Sequence, residues 1–288
     1  MQRALPLYLA SLVLFGLNGI TASHIDLSAI EIVLMRLVCG LAFLLPFAAR
    51  PLIALPLRGR ALAASLAAGS VMGVSWILLY DGFQLIGVAE STILYYVGPV
   101  IVMAAAAIFG REHFSALQWG GLTLAFAGLT LVIGADASLV SNVRGLSEAI
   151  ASAFCYAGMI YFVKASGARP EQSIAQTFLI LAAGLAVVVA SFFVLGVGFP
   201  SVADLESFAL PLFLLGFINT GFGCLLYFRT VPLLPVATVS ILSYVEPLTA
   251  VIAAAIVLEE PVGIWQAVGI AMLFSGAAAA QLSSLKKA

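Results

Sequence analysis

Ten stretches of about 20 mainly apolar residues, each long enough to cross a bilayer as one helix, divide the chain at 4–22, 28–49, 61–81, 88–109, 115–134, 145–163, 172–195, 208–228, 235–257 and 262–282. The connections carry the charges and helix breakers, among them Pro51 to Arg60, Arg111 to His113, Asp136 to Arg144 and Glu259 to Pro261. Of 288 residues 63% are hydrophobic and 9% charged, where an average soluble domain carries roughly 25% charged residues. Too little polar surface remains to wrap such a chain in water, so its helices must be solvated by lipid and by one another. The expected fold class is an all-α polytopic membrane protein of ten transmembrane helices.

Lysine and arginine accumulate on the cytoplasmic side of membrane proteins, which tests the count. With a cytoplasmic amino terminus, the inner segments hold Arg3, Arg50, Arg58, Arg60, Arg111, Lys164, Arg169, Arg229, Lys286 and Lys287, and the outer loops hold Arg144 alone. A helix missed or invented midway would scramble that asymmetry, so both termini are expected to be cytoplasmic. The first span is read as retained, despite the small residues Thr21-Ala22-Ser23, because its basic flank is the single Arg3 and a signal peptide carries a stronger one. A formal net charge of −1 offers no basic patch for nucleic acid. Cys39, Cys155 and Cys224 lie inside apolar runs, where they read as packing side chains and not as disulfide or metal partners.

The segment ILSYVEPLTAV, Ile241 to Val251, repeats the Ile-Leu-x-Tyr-Val-x-Pro pattern of ILYYVGPVIVM, Ile93 to Met103, with Glu246 in place of Gly98. The same offset of 148 carries Ala89 onto Ala237, Tyr96 onto Tyr244, Pro99 onto Pro247, Glu112 onto Glu260, Gln118 onto Gln266 and Gly128 onto Gly276. This predicts two homologous halves, 1–135 and 144–288. Each holds five spans, and because five is odd the second half enters the membrane from the opposite side. Two inverted five-helix repeats are the arrangement of secondary transporters that expose a midplane site alternately to each side. The fifth helices carry Gly120, Gly121, Ala125 and Gly128 in one half and Gly269, Gly276 and Ala280 in the other. Such small residues permit close helix packing within or between subunits, a homodimer seam being one use. Glu112 and Glu260 each precede a fifth helix and read as interfacial caps at the positive end of its dipole.

The Glu246-Pro247 pair, the proline-then-glutamate patterns Pro99 to Glu112 and Pro247 to Glu260, the glycine-rich fifth helices and Arg36 in the second span together resemble the drug/metabolite transporter superfamily. The match is to its ten-helix EamA-type members and covers the whole chain in two copies. The first-helix Trp-Gly-Ser/Asn pattern of the family is met here by Phe15-Gly16-Leu17-Asn18, without the tryptophan. The resemblance implies export of amino acids or related metabolites through a central cavity between the repeats, in the cell (inner) membrane and without a cofactor. Members also move amines and nucleotide sugars, so carriage of nucleotide sugars or quaternary amines is the alternative.

An ionised side chain at the bilayer centre costs roughly 2.5–3.5 kcal/mol, and protonating a glutamate of reference pKa about 4.3 at pH 7 costs about 3.7 kcal/mol. Glu246 is therefore expected to stay ionised beside a cation or water and to become neutral without them. Arg36 is the only basic residue well within a span; it is expected either to pair with Glu246 or to cap carbonyls or snorkel outward beside Glu31. Other residues at helical spacing complete a candidate substrate or coupling site. Trp76 and Tyr80 are four apart, Asn219 and Tyr227 eight apart, and Ser240, Ser243 and Glu246 recur at every third residue. Asn18, Tyr156, Tyr161, Gln176 and Tyr244 are placed with them. Tyr95 and Tyr96 diverge by about 100° on an ideal helix, so only one is expected to face the cavity, Tyr95 being the better candidate. Pro99 and Pro247 remove backbone bonds at equivalent depth and read as hinges or as passive kinks.

An aromatic cavity with one carboxylate suits a cationic or zwitterionic small molecule, through charge pairing and cation–π contact. A substrate carboxylate would be met by Arg36, Asn18 or broken-helix amides near Pro99 and Pro247. Glu246 either carries a proton in exchange for substrate or binds the amine directly. No HExxH, paired-aspartate or P-loop sequence occurs, and His24 and His113 lie near loops on opposite sides. These features argue against an intramembrane enzyme, a metal centre and direct ATP hydrolysis. A channel or receptor is disfavoured because channels build rings of ligands from several subunits, whereas this chain has essentially one carboxylate at membrane depth, in one of two unequal halves.

Overall fold

The computed structural model describes residues 4–86, 88–99, 101–102, 105, 115–133, 142–257 and 264–285. Arg3, Arg111, Glu112, His113, Glu260, Lys286 and Lys287 lie outside the described residues. Every described element is helical: α1 (Ala4–Gly16), α2 (Asn18–Ala22), α3 (Ala29–Ala54), α4 (Gly59–Ile86), α5 (Val88–Tyr95), α6 (Ala116–Ile133), α7 (Val143–Ser166), α8 (Ser173–Leu195), α9 (Val202–Ser207), α10 (Ala209–Phe213), a π-helix (Leu214–Gly223), α11 (Cys224–Thr230), α12 (Val236–Leu242), α13 (Val245–Val257) and α14 (Ile264–Leu285), with short 3-10 turns at Pro170–Gln172 and Val231–Leu233. Among the described residues six spans are long and apolar enough to cross a membrane: Ala4–Ala22, Ala29–Ala54, Gly59–Ile86, Val143–Ser166, Pro170–Leu195 and Ala209–Leu233. The described parts of the stretches expected at 88–109 and 235–257 are helical and interrupted by turns at Tyr96–Val97 and Ser243–Tyr244.

Local chemistry accounts for the helix ends. The Ser28 backbone N–H and hydroxyl both donate to the Glu31 carboxylate, at 2.9 and 2.6 Å, closing a capping box at the start of α3. Glu31 is thereby engaged at the helix end, and Arg36 turns into the protein instead of snorkelling outward beside it. Asn142 accepts from the Gly145 N–H at 3.1 Å to cap α7, which ends on Gly167 at φ 63°, where a glycine adopts the left-handed conformation without strain. Ser201 caps α9, and its hydroxyl holds the Asp204 carboxyl below the usual carboxylate range.

With no difference in hydrophobicity between lipid and a leucine side chain, helices in a bilayer associate through close packing at small residues. α4 packs against both α7 and α8. Gly69 and Gly73, four apart on α4, meet the backbone of α8, and a Cβ on Gly73 would lie 2.8 Å from the Gly184 carbonyl oxygen. α6 and α14 lie along one another in the same way, a Cβ on Gly276 falling 2.5 Å from the Gly121 oxygen and 2.7 Å from the Ala125 nitrogen. Gly121, Ala125 and Gly276 are thus used within the chain, whereas Gly120 faces outward with no heavy atom within 4 Å of a built Cβ. Ile53, Phe193 and Trp265 are exposed on the outside, where acyl chains take the place of water. Arg144 ties the start of α7 to the end of α4, bonding Asp81 at 2.7 Å and Glu148 at 2.8 Å.

Gly276→Ala is expected to lower the unfolding free energy in mixed micelles by about 1–3 kcal/mol, because the opposing backbone must move. Gly120→Ala, from the same glycine stripes, should be neutral or stabilise by up to about 1 kcal/mol. Equal effects of the two substitutions on an SDS unfolding titration would refute this packing.

Candidate functional site

Four irregularities in otherwise regular helices converge. α1 stops at Gly16 and the chain re-enters helix at Asn18, Leu17 bonding back only three residues to Leu14 at 3.1 Å. α5 gives way to a turn at Tyr96, where Val97 bonds three residues back to Leu94 at 3.1 Å. The matching break between α12 and α13 has Tyr244 bonding Ile241 at 3.4 Å and Glu246 bonding Ser243 at 3.1 Å. The fourth is the π-helix, in which the Thr220 hydroxyl donates to the Leu215 carbonyl five residues earlier at 2.8 Å; π-segments are rare and concentrate at functional sites.

The first three breaks border a cavity of about 120 Å³, and the π-helix stands behind its Arg36 and Asn18. The charged walls of the cavity are Arg36 of α3 and Glu246 of α13. Tyr96 and Glu246 both line it. Gly16 allows the first helix to approach α13, since a Cβ there would lie 2.5 Å from the Glu246 carbonyl oxygen. Arg36 is held by Thr220 at 3.1 Å and Tyr80 at 2.8 Å, with its guanidinium carbon 3.8 Å over the Trp76 ring. Among the described residues the only ion pairs within 4.0 Å are those of Arg144. Arg36 and Glu246 therefore share one cavity without forming the ion pair that was one expectation.

Tyrosines close one end. The Tyr156 and Tyr227 hydroxyls are 3.2 Å apart, the Tyr8 ring lies tilted against Tyr227 with centroids 5.6 Å apart, and the Tyr8 hydroxyl donates to the Val239 carbonyl at 2.9 Å. Asn18 lines the cavity and accepts from Asn219 at 2.8 Å, which places Asn219 behind the wall. Pro247 lines the cavity. Ser243 turns its hydroxyl onto the Ser240 carbonyl at 2.7 Å, and Tyr244, fully buried, donates to the Tyr96 carbonyl at 3.3 Å.

Three expectations are corrected. Tyr95 and Tyr96 both line the cavity, because the helix breaks between them and the 100° rule of a continuous helix no longer applies. The Ser240, Ser243 and Glu246 stripe is not one face, since the turn at Ser243–Tyr244 interrupts it. Tyr161 is 49% exposed on the outer surface of α7, and Gln176 bonds Ser166 at 2.9 Å in a separate polar cluster. Sequence spacing missed Thr220 and Tyr8. A buried tyrosine in an apolar first span was a visible signal for Tyr8, whereas Thr220 depends on the π-helical register.

A multi-pass helical bundle enclosing a small cavity with two opposite charges is the architecture of a membrane transporter. A sequence profile of the EamA-like transporter family matches residues 2–134 and again 143–280, and the chain belongs to that family. An uncharacterized transporter, YxxF, of Bacillus subtilis (strain 168) is 26% identical over 274 residues, covering 93% of this chain and 86% of that protein. A crystal structure at 17% sequence identity superposes with a TM-score of 0.77 over 97% of this chain and 98% of its own, which shows a shared fold.

Tyr244→Phe should lower stability by about 0.5–1.5 kcal/mol through loss of its bond to the Tyr96 carbonyl. Thermal unfolding in detergent measures this, and an unchanged midpoint would show that the bond contributes nothing.

Proposed function

We propose that this protein is a secondary transporter of small amines and amino acids, exporting them by alternating access across the cell (inner) membrane. In this reading residues 1–135 and 144–288 are inverted repeats of five spans each, with both termini cytoplasmic. The observation that carries the proposal is the single carboxylate Glu246 in a cavity walled by aromatic rings, where two broken helices meet. A primary ammonium group pairs with such a carboxylate and lies against ring faces, each contact contributing about 0.5–2 kcal/mol.

Glu246 is also the group through which transport would couple to protons, since a proton and a substrate ammonium compete for the same carboxylate. The breaks preceding Pro99 and Pro247 serve as hinges. A homodimer through the fifth helices would use their outward faces, because Gly121, Ala125 and Gly276 are engaged inside the chain.

Counterflow in proteoliposomes loaded with mixed unlabelled metabolites tests this without any coupling gradient. Labelled amino acids or amines are expected to accumulate transiently, and Glu246→Gln should weaken that uptake by about tenfold or more, the value of one charge-assisted hydrogen bond. Failure of any label to accumulate, from folded and inserted protein, would count against a carrier. Wild-type uptake of every amine by Glu246→Gln would remove the carboxylate from the scheme.

A further inference from the structure

Arg36 is 2% exposed in the middle of α3. Its contacts are all with uncharged groups: Nε donates to Thr220 at 3.1 Å, Nη1 donates to Tyr80 at 2.8 Å, and Trp76 lies beneath the guanidinium plane. A guanidinium presents five N–H donors, and these two bonds engage two of them. Among the described residues no carboxylate lies within 4.0 Å of it. A buried cation of this kind is costly unless an anion shares its site, and Arg36 borders the cavity.

We propose that Arg36, Tyr80 and Thr220 form an anion-binding subsite for the carboxylate of the substrate, so that the cavity selects zwitterions over plain amines. The inference rests on the transport reading of this cavity and names which of its two substrate classes is preferred. A planar fork of donors matches a carboxylate in geometry as well as in charge. Glu246, on another wall and beyond ion-pair distance, leaves room for both ends of one small zwitterion.

Thr220 is the positioning residue. Its only hydroxyl proton is committed to the Leu215 carbonyl, so towards Nε it acts as an acceptor and fixes the plane of the guanidinium. The π-helix supplies that five-residue bond, and Gly40 lets the threonine come close, a Cβ there falling 2.8 Å from Thr220 Cγ2. The Tyr80 hydroxyl and the Trp76 ring hold the other edge and the face.

The test uses the full chain in proteoliposomes with labelled leucine, phenylalanine and alanine, each against its decarboxylated amine. Wild-type protein should favour the amino acid by about tenfold or more in half-saturation. Arg36→Gln and Thr220→Val should lose that preference while amine uptake persists, which also shows that the variants fold; Thr220→Ser should retain it. Should Arg36→Gln abolish all uptake, Thr220→Val, which keeps the charge, decides by the same comparison. Equal handling of each pair by wild-type protein, or an unchanged preference in Thr220→Val, overturns the subsite and leaves the carrier reading standing. Uptake of neither member of any pair by wild-type protein overturns both.

Discussion

A backbone group released from a helix inside a bilayer finds no water and must be satisfied within the protein. The centre of this structure is organised by that constraint. The bond from the Tyr244 hydroxyl to the Tyr96 carbonyl, at 3.3 Å, is its clearest expression, since it joins one broken helix to the other. The tighter bonds of Leu17, Val97 and Tyr244 to residues three back serve the other freed groups. Because each break must be met by a neighbour, the breaks collect in one place, and the spread helices leave the cavity between them.

The two copies of the Tyr-Val-x-Pro segment are not interchangeable in their surroundings. At Gly98 a Cβ would lie 2.7 Å from the Tyr156 ring, so a longer side chain there would drive out a wall of the cavity. At Glu246 the side chain reaches the cavity itself, and the close neighbour is the backbone of α1 at Gly16. The glycine in one copy and the carboxylate in the other follow from what packs against each. A charge can be held on one side only.

Regularity decided which parts of the site spacing could reveal. Trp76 and Tyr80 belong to an unbroken helix, and both come to Arg36 as their four-residue separation implies. Tyr95 and Tyr96 straddle a break, so an ideal helix misjudges them. The serines before Glu246 fail for the same reason. Thr220 reaches Arg36 only because the π-register rotates it there, and Tyr161 shares its residue type with the cavity tyrosines while facing the opposite way. Gly69 and Gly73 carried a close-packing signal in their spacing, and the partner helix, α8, was beyond what spacing can name.

Local and additive properties were determined by the sequence alone: lipid-solvated apolar helices, the family to which the chain belongs, and the presence of Glu246 and Arg36 deep within the spans. Hydrophobic length and charge cost depend on each segment by itself, so they can be read without a fold. Tertiary structure decided that Arg36 takes hydroxyls and an indole as partners, that Tyr96 and Glu246 line one cavity, and that the small residues of α6 and α14 serve each other. Arg36 and Thr220 are 184 residues apart and the bonded Tyr96 and Tyr244 are 148 apart, and such contacts depend on where helices break and cross, which is set by packing among all the segments at once.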